Sequence, residues 1–188
     1  MELTDEIIQT AIKAFNEKGL KFTMDDIANE LHISKKTIYK QFTNKEELLH
    51  ALIDEAFREI KILEKNIYED PKLSTKEKIQ KIIIALPVPY ESFNSNRFLE
   101  IRQASPFLLE IMKEHLETGW ELTIKLLEQG MEEGVIGPIS IPVLRIMITA
   151  SIESFISSSL LDENGITYSE ALDDMMSILM KGIELNEK

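Results

Sequence analysis

The chain has 188 residues, of which 44% are hydrophobic and 29% charged, and it contains no cysteine. This composition supplies enough apolar material for a sizeable core, excludes disulfides and thiolate metal sites, and with only 7 Gly and 6 Pro favours helices. The formal net charge of −12 excludes a broad basic surface for non-specific nucleic-acid binding, although a local basic face remains compatible with it. Neither a signal peptide nor an apolar run of about 18 residues is present, so we expect a cytoplasmic protein without a membrane span.

The first fifty residues carry four separate signals for the start of a helix. An apolar stripe predicts a helix over residues 4–18, and Gly19 is typical of its end. Cap residues then predict the starts of three more helices, the last extending to about residue 69: Thr23, Ser34 and Asn44. Three closely spaced helices of this kind are typical of a helix-turn-helix head.

The rest of the chain also has helical periodicity, interrupted by proline and glycine. We predict five further helices, over about residues 74–87, 97–103, 106–133, 142–161 and 168–185. The predicted fold is therefore all-α with about nine helices. We expect a three-helix head over residues 1–48 and a helical body over residues 49–188.

The third predicted helix is the basic part of an acidic chain. Residues 1–50 hold 7 Lys/Arg against 9 Asp/Glu, whereas residues 51–188 hold 14 against 24. Ile33, Ile38 and Phe42 share the inward face of this helix, which leaves its basic side chains toward solvent, and a helix of this width fits the major groove of DNA. The alternative interpretation is an ordinary solvated face. The residues that we expect at DNA are Thr23, Ser34, Lys35, Lys36, Thr37, Tyr39, Lys40 and Lys45.

This segment resembles the DNA-binding head of the TetR family of transcriptional regulators over about residues 7–52. The matching pieces are Thr23, Ile27-Ala28, Ile33-Ser34, Thr37-Ile38-Tyr39, Phe42 and Lys45-Glu46-Glu47-Leu48. The resemblance implies a homodimer that binds double-stranded operator DNA of palindromic sequence, with Thr23 and Lys45 on phosphates. It also implies that the body binds a small effector which relieves repression. His32, Gln41 and Thr43 depart from the commonest family pattern, and histidine is compatible with the left-handed backbone that the turn requires.

Two regions of the predicted body are candidates for these further roles. An apolar cluster predicts a pocket for an apolar or amphipathic effector, with ordinary core as the alternative: Phe93, Phe98, Phe107, Ile111, Met112 and Trp120. The last two helices predict a dimer surface, with completion of the monomer core as the alternative: Ala150, Ser154, Ser157, Ser158, Leu172, Met175, Met176 and Leu179.

Other classes of protein fit the sequence less well. Glu47 and His50 have the spacing of half a di-metal site in a helical bundle, but a second Glu-x-x-His is absent from the sequence. We therefore expect neither an enzyme nor a metal or other cofactor. A helical protein-interaction adaptor without DNA binding is the remaining alternative, and it leaves the basic helix unexplained.

Overall fold

The computed structural model describes residues 2–91, 100 and 105–183, so most of the helix predicted over residues 97–103 lies outside it. The described residues confirm the all-α prediction. They form eleven α-helices: α1 Leu3–Lys18, α2 Met24–Glu30, α3 Lys35–Gln41, α4 Lys45–Glu69, α5 Thr75–Ile83, α6 Val88–Glu91, α7 Pro106–Glu117, α8 Glu121–Glu132, α9 Ile141–Ser157, α10 Leu160–Glu163 and α11 Tyr168–Ile183. None of these helices is long and apolar enough to cross a membrane.

The three predicted cap residues begin the helices of the head. The side chains of Thr23, Ser34 and Asn44 each accept a hydrogen bond from the backbone N–H three residues later, at 3.1, 3.1 and 2.8 Å. Such a bond satisfies one of the donors that a helix start leaves unpaired. Phe22 and Ile27 flank the first of these caps and are fully buried, as a hydrophobic staple requires.

The turn between α2 and α3 depends on a histidine in a left-handed conformation. His32 has φ 53°, its N–H donates to the Asn29 carbonyl at 3.2 Å, and the N–H of Ile33 donates to the Ala28 carbonyl at 3.0 Å. These two bonds form a Schellman motif, whose left-handed position is usually glycine. The exposed imidazole therefore occupies a backbone conformation that a Cβ atom disfavours.

We expect His32→Gly to raise the free energy of unfolding by about 1 kcal/mol, because it removes the Cβ strain at a left-handed position. Thermal or urea unfolding measures this change. His32→Ala is the matched control, since it shortens the side chain but keeps the Cβ atom, and it should gain nothing. Equal stabilisation by both variants would contradict this account.

Helix α4 joins the head to the body. It runs for 25 residues, or about 37 Å. Its first half buries Leu48, Leu49 and Leu52, and along its length it packs against α1, α5, α7 and α8. One continuous helix therefore contacts both parts of the molecule.

The single helix predicted over residues 106–133 is wrong, because the chain breaks between α7 and α8. Gly119 stands at the break with φ +73°, a conformation that excludes the regular helix. The Lys61 side chain crosses this glycine so closely that its Cε lies 2.6 Å from the position a Cβ atom would occupy. The break therefore accommodates a contact with α4, which is distant in the sequence.

Candidate nucleic-acid interface

Helix α3 separates its folding side chains from its surface side chains as the sequence predicted. Ile38 and Phe42 are buried in the head. Tyr39 is 42% exposed, and the lysines of the helix are exposed around it. Thr37 is half-buried, and its hydroxyl lies 2.8 Å from that of Ser34. The outer face is therefore basic, with an aromatic hydroxyl in its middle.

The three lysines of α3 differ in what neutralises them. Lys35 pairs with Asp25 at 2.8 Å. Lys36 and Lys40 have no acidic partner within the part of the chain that the structure describes. They lie four residues apart, and hence on neighbouring turns of one face. Two uncompensated cations are therefore available to a polyanion at this surface.

Lys45 has a different environment from the other lysines of the segment. Its ammonium donates to the carbonyls of Leu20 and Phe22 at 2.5 and 2.6 Å and lies 4.3 Å from the centre of the Phe22 ring. Burial lowers the pKa of Lys45. Two of its three N–H donors are thus occupied within the head, so this side chain first of all holds the start of α4 against the connection between α1 and α2.

The Thr23 hydroxyl is likewise occupied in the described structure. It donates to the Asp26 carboxylate at 2.8 Å, while the Thr23 N–H donates to the same oxygen at 2.7 Å. Lys18 donates to the other oxygen at 2.8 Å. The Lys18 bond, with those from Thr23, lowers the pKa of Asp26 from 3.8 to about 2. The Asp26 carboxylate therefore connects Lys18 and Thr23 to the first turn of α2.

We expect this link to make the head sensitive to acid. Because the pKa of Asp26 is lower in the folded state, its contribution to stability is present above about pH 4 and is lost as the pH falls toward 2. Asp26→Asn should be less stable than the original protein at pH 6, and the two should converge only below about pH 2. Thermal unfolding at several pH values tests this, and a difference that stays constant with pH would contradict it.

A second feature is a largely apolar cavity of about 170 Å³, lined by residues of α1, α4, α5, α6, α7, α8, α9 and α11. Of the predicted pocket residues, Met112 and Trp120 line it. Ile111 is buried but does not line the cavity, Phe107 is 58% exposed, and Phe93 and Phe98 lie outside the described residues. The sequence prediction missed the wall that α4 supplies: Leu49, Leu52, Ile53, Ala56, Phe57, Ile60, Lys61 and Glu64.

One polar group interrupts this apolar lining. The ammonium of Lys61 donates to both carboxylate oxygens of Glu64 at 2.8 and 2.9 Å and to the Gly119 carbonyl at 2.9 Å. Thr123, which is buried, lines the same cavity. The cavity therefore contains one ion pair in mostly apolar surroundings.

The predicted dimer residues divide between the surface and the core of the subunit. Leu172, Met175 and Met176 are buried within the subunit, which is the alternative interpretation given above. Ala150 and Ser154 are exposed, while Ser157, Ser158 and Leu179 are half-buried. The sequence did not single out the apolar side chains that are exposed on α9 and α11: Val143, Ile146, Met147 and Ile178. The spacing of the α9 members, at three and four residues, places them on one stripe.

Within the described residues there is no group of three or more His, Asp or Glu side chains placed to hold a metal. Glu47, half of the metal motif considered above, instead accepts bonds from the backbone N–H and the hydroxyl of Thr43 at 2.6 and 2.5 Å. Its carboxylate therefore fixes the turn that precedes α4.

Comparison with known proteins adds a family match and full-length relatives. The sequence model of the family described as bacterial regulatory proteins, tetR family, matches residues 7–52. An uncharacterized HTH-type transcriptional regulator of Bacillus subtilis, YvaF, is 25% identical over 182 residues, covering 97% of this chain and 96% of the relative. The negative regulator of the biofilm operon icaADBC of Staphylococcus epidermidis, IcaR, is 38% identical over 56 residues, covering 29% of this chain and 30% of the relative.

The fold also matches solved structures. The transcriptional regulator FadR of Bacillus subtilis, crystallised in complex with stearoyl-CoA, superposes with a TM-score of 0.64 at 24% identity, covering 96% of this chain and 99% of that one. At this identity the likeness concerns the fold. The match therefore extends the relationship from the head to the arrangement of the body helices.

Proposed function

We propose that this chain, which belongs to the TetR family of bacterial regulatory proteins, is a dimeric repressor that a small amphipathic effector releases from a palindromic operator. The family match and the full-length relative make the protein a DNA-binding transcriptional regulator and not an enzyme. The observation that carries the proposal is the outer face of α3, with exposed Tyr39 between Lys36 and Lys40, which lack acidic partners in the described structure. Residues 1–48 are the DNA-binding unit and residues 49–188 the effector and dimerisation unit of this proposal.

The chemistry of α3 fits the major groove. Lysine ammonium groups bind phosphates or guanine acceptors, a Tyr hydroxyl meets phosphate, and Thr37 near the start of the helix is suited to a base edge. The Thr23 and Ser34 hydroxyls stand at helix starts, where backbone N–H groups also bind phosphate, and Thr23 would do so by exchanging its bond to Asp26. Selection from random duplexes tests the proposal and should enrich a two-fold symmetric site. Failure to enrich any sequence would refute operator recognition.

Dimerisation would cover the apolar stripe of α9 together with Ile178 of α11. These side chains are 51 to 71% exposed in the subunit. Contact between such an apolar patch and water is unfavourable, and a second copy of the chain would bury it. A two-fold axis through this face would build a four-helix bundle from α9 and α11 of each copy. Residues Ala150 and Ser154, exposed near the stripe, would allow the backbones of the two copies to approach closely.

We expect Ile146→Asp to separate the two copies, because it places a charge in the middle of the apolar stripe. Light scattering at micromolar concentration should give twice the chain mass of 21.6 kDa for the original protein and about that mass for the variant. Val88→Asp is the control, since Val88 is 75% exposed on α6, away from the stripe. A monomer in the original protein, or loss of the dimer in both variants, would oppose this assignment.

The cavity supplies the effector site of the proposal. Its lining is mostly apolar and contains one ion pair, and FadR, whose crystal structure holds stearoyl-CoA, has the same fold. An engineered apolar cavity of about 150 Å³ binds benzene, so a space of this size accepts a ring or a short alkyl chain. IcaR, which matches this chain over 56 residues, is named a negative regulator, and this supports repression as the direction of control.

A seam of side chains between α4 and α7 supports coupling between cavity and head. Along one face of α4, Glu46 accepts a bond from Ser105 at 2.8 Å, and the Asp54 carboxylate accepts one from His115 Nε2 at 2.8 Å. Phe57 then stacks on His115 with ring centres 4.5 Å apart. Both rings line the cavity. An effector that moves them would shift the helix that carries the head, and by linkage DNA would weaken the effector by the same factor.

A further inference from the structure

The cavity differs from a plain apolar pocket in the unequal burial of its two charges. The Glu64 side chain is 10% exposed, whereas that of its partner Lys61 is 42% exposed. Burial raises the pKa of the Glu64 carboxyl, the bonds from Lys61 lower it, and the negative charge of Glu121 raises it further. Glu64 is therefore the enclosed member of the pair, and Lys61 lies at the edge of the cavity, in reach of water.

This asymmetry decides which ligand charge the site accepts at least cost. A ligand ammonium can replace the Lys61 ammonium on Glu64, because the lysine can turn into water and the carboxylate stays paired throughout. A ligand carboxylate, in contrast, would have to take Lys61 from Glu64 and leave a buried anion without its partner, which is strongly unfavourable. The excess of acid over base in residues 51–188 disfavours an anion further.

We propose that the cavity selects amphipathic cations, an inference that rests on the proposed effector site. The ammonium head of the ligand would replace the Lys61 ammonium on Glu64, and its apolar body would pack against Trp120, Met112 and the α4 wall. Two features of the site support this exchange. The Gly119 carbonyl already accepts from an ammonium and remains as a second acceptor. The buried Thr123 hydroxyl adds a further polar contact in the same cavity.

The experiment uses the sole tryptophan of the chain, which lines the cavity, as its reporter. Octylammonium, octanoate and 1-octanol are titrated separately into the full-length protein and followed by Trp120 fluorescence. The three probes share one chain length and differ in head charge. We expect octylammonium to bind at least about tenfold more tightly than octanoate, because only octanoate strands the buried carboxylate.

Two variants separate this exchange from simple apolar binding. Glu64→Gln keeps the shape and removes the charge, so it should lower octylammonium affinity about tenfold and leave 1-octanol within about twofold. Lys61→Met removes the competing cation and should raise octylammonium affinity several-fold. If Lys61 instead recognised an anion, Lys61→Met should lose octanoate binding. The double variant, Lys61→Met with Glu64→Gln, leaves no unpaired charge and controls for misfolding of Lys61→Met.

The outcomes also separate this inference from the proposed function. Equal binding of the three probes, or tighter binding of octanoate, overturns the charge selectivity and leaves the cavity as an effector site. No binding of any probe overturns both the selectivity and the effector site. Operator affinity is measured without ligand on the original protein, so the DNA-binding assignment is judged independently.

Discussion

Replacing both Lys36 and Lys40 with alanine is expected to weaken operator binding about a thousandfold at 0.15 M salt. Each phosphate contact contributes about 0.9 to the slope of log K against log salt, so the four contacts of a dimer contribute roughly 3.6. Extrapolated from a 1 M reference, that slope corresponds to about three powers of ten at 0.15 M. The reason lies in the structure: these two ammonium groups have no acidic partner among the described residues and need break no ion pair to bind DNA.

A titration of operator affinity across salt concentrations measures this effect. The matched control is the double variant Lys113→Ala with Lys125→Ala, which changes the net charge equally on exposed positions of α7 and α8. It should leave the slope within about one of the original value. Lys35→Ala should have a smaller effect than either single change at Lys36 or Lys40, since Lys35 is paired with Asp25. A slope that falls equally in both double variants would mean that α3 does not lie at DNA.

Lys45→Ala is expected to lower the free energy of unfolding by about 3 kcal/mol. Hydrogen bonds to a charged group contribute about 1.5–3 kcal/mol each, and the partial exposure of Lys45 keeps the sum of two near the lower end. The bonds to the Leu20 and Phe22 carbonyls attach the start of α4 to the turn before α2. Without these two bonds, α3, which we propose as the recognition helix, loses its fixed position relative to the body.

This result would separate a positioning role from the phosphate contact that the sequence suggested. If Lys45 positions α4, its loss lowers both stability and operator affinity, while the salt slope of the remaining folded protein is unchanged. Lys45→Met tests the ammonium alone, because it keeps an apolar stem against the Phe22 ring. Lys21→Ala, on an exposed lysine nearby, is the control. A slope reduced by about one per contact with normal stability would restore the phosphate assignment.

The caps of the head were predictable because their partners lie three residues away. Thr23, Ser34 and Asn44 bond within their own helix starts, so the sequence contains the whole interaction. The role of Lys45 depends on carbonyls 23 and 25 residues earlier in the chain. One local signal was present, since a cation at the first position of a helix is unfavourable beside the helix dipole and implies acceptors elsewhere.

The body was harder to predict for the same physical reason. The cavity takes its lining from eight helices, and only residues of α7 and the start of α8 were adjacent enough in the sequence to form a recognisable cluster. Helix α9 is apolar on nearly all sides, so its sequence does not show that Ile148 and Ile152 face the core while Ile146 faces outward. Gly119 reads as a weak interruption until Lys61 of α4 is seen to cross it.

Because α4 is one unbroken helix, a small tilt of it produces a larger displacement at its end. If α4, which is about 37 Å long, pivots by about 5° about its C-terminal end, its N-terminal end is displaced by about 3 Å. In a symmetric dimer the two recognition helices would separate by about twice that distance, which is close to two base-pair steps of about 3.4 Å each. Side-chain movements too small to alter the fold of the body would thus suffice to put the two heads out of register with successive turns of DNA.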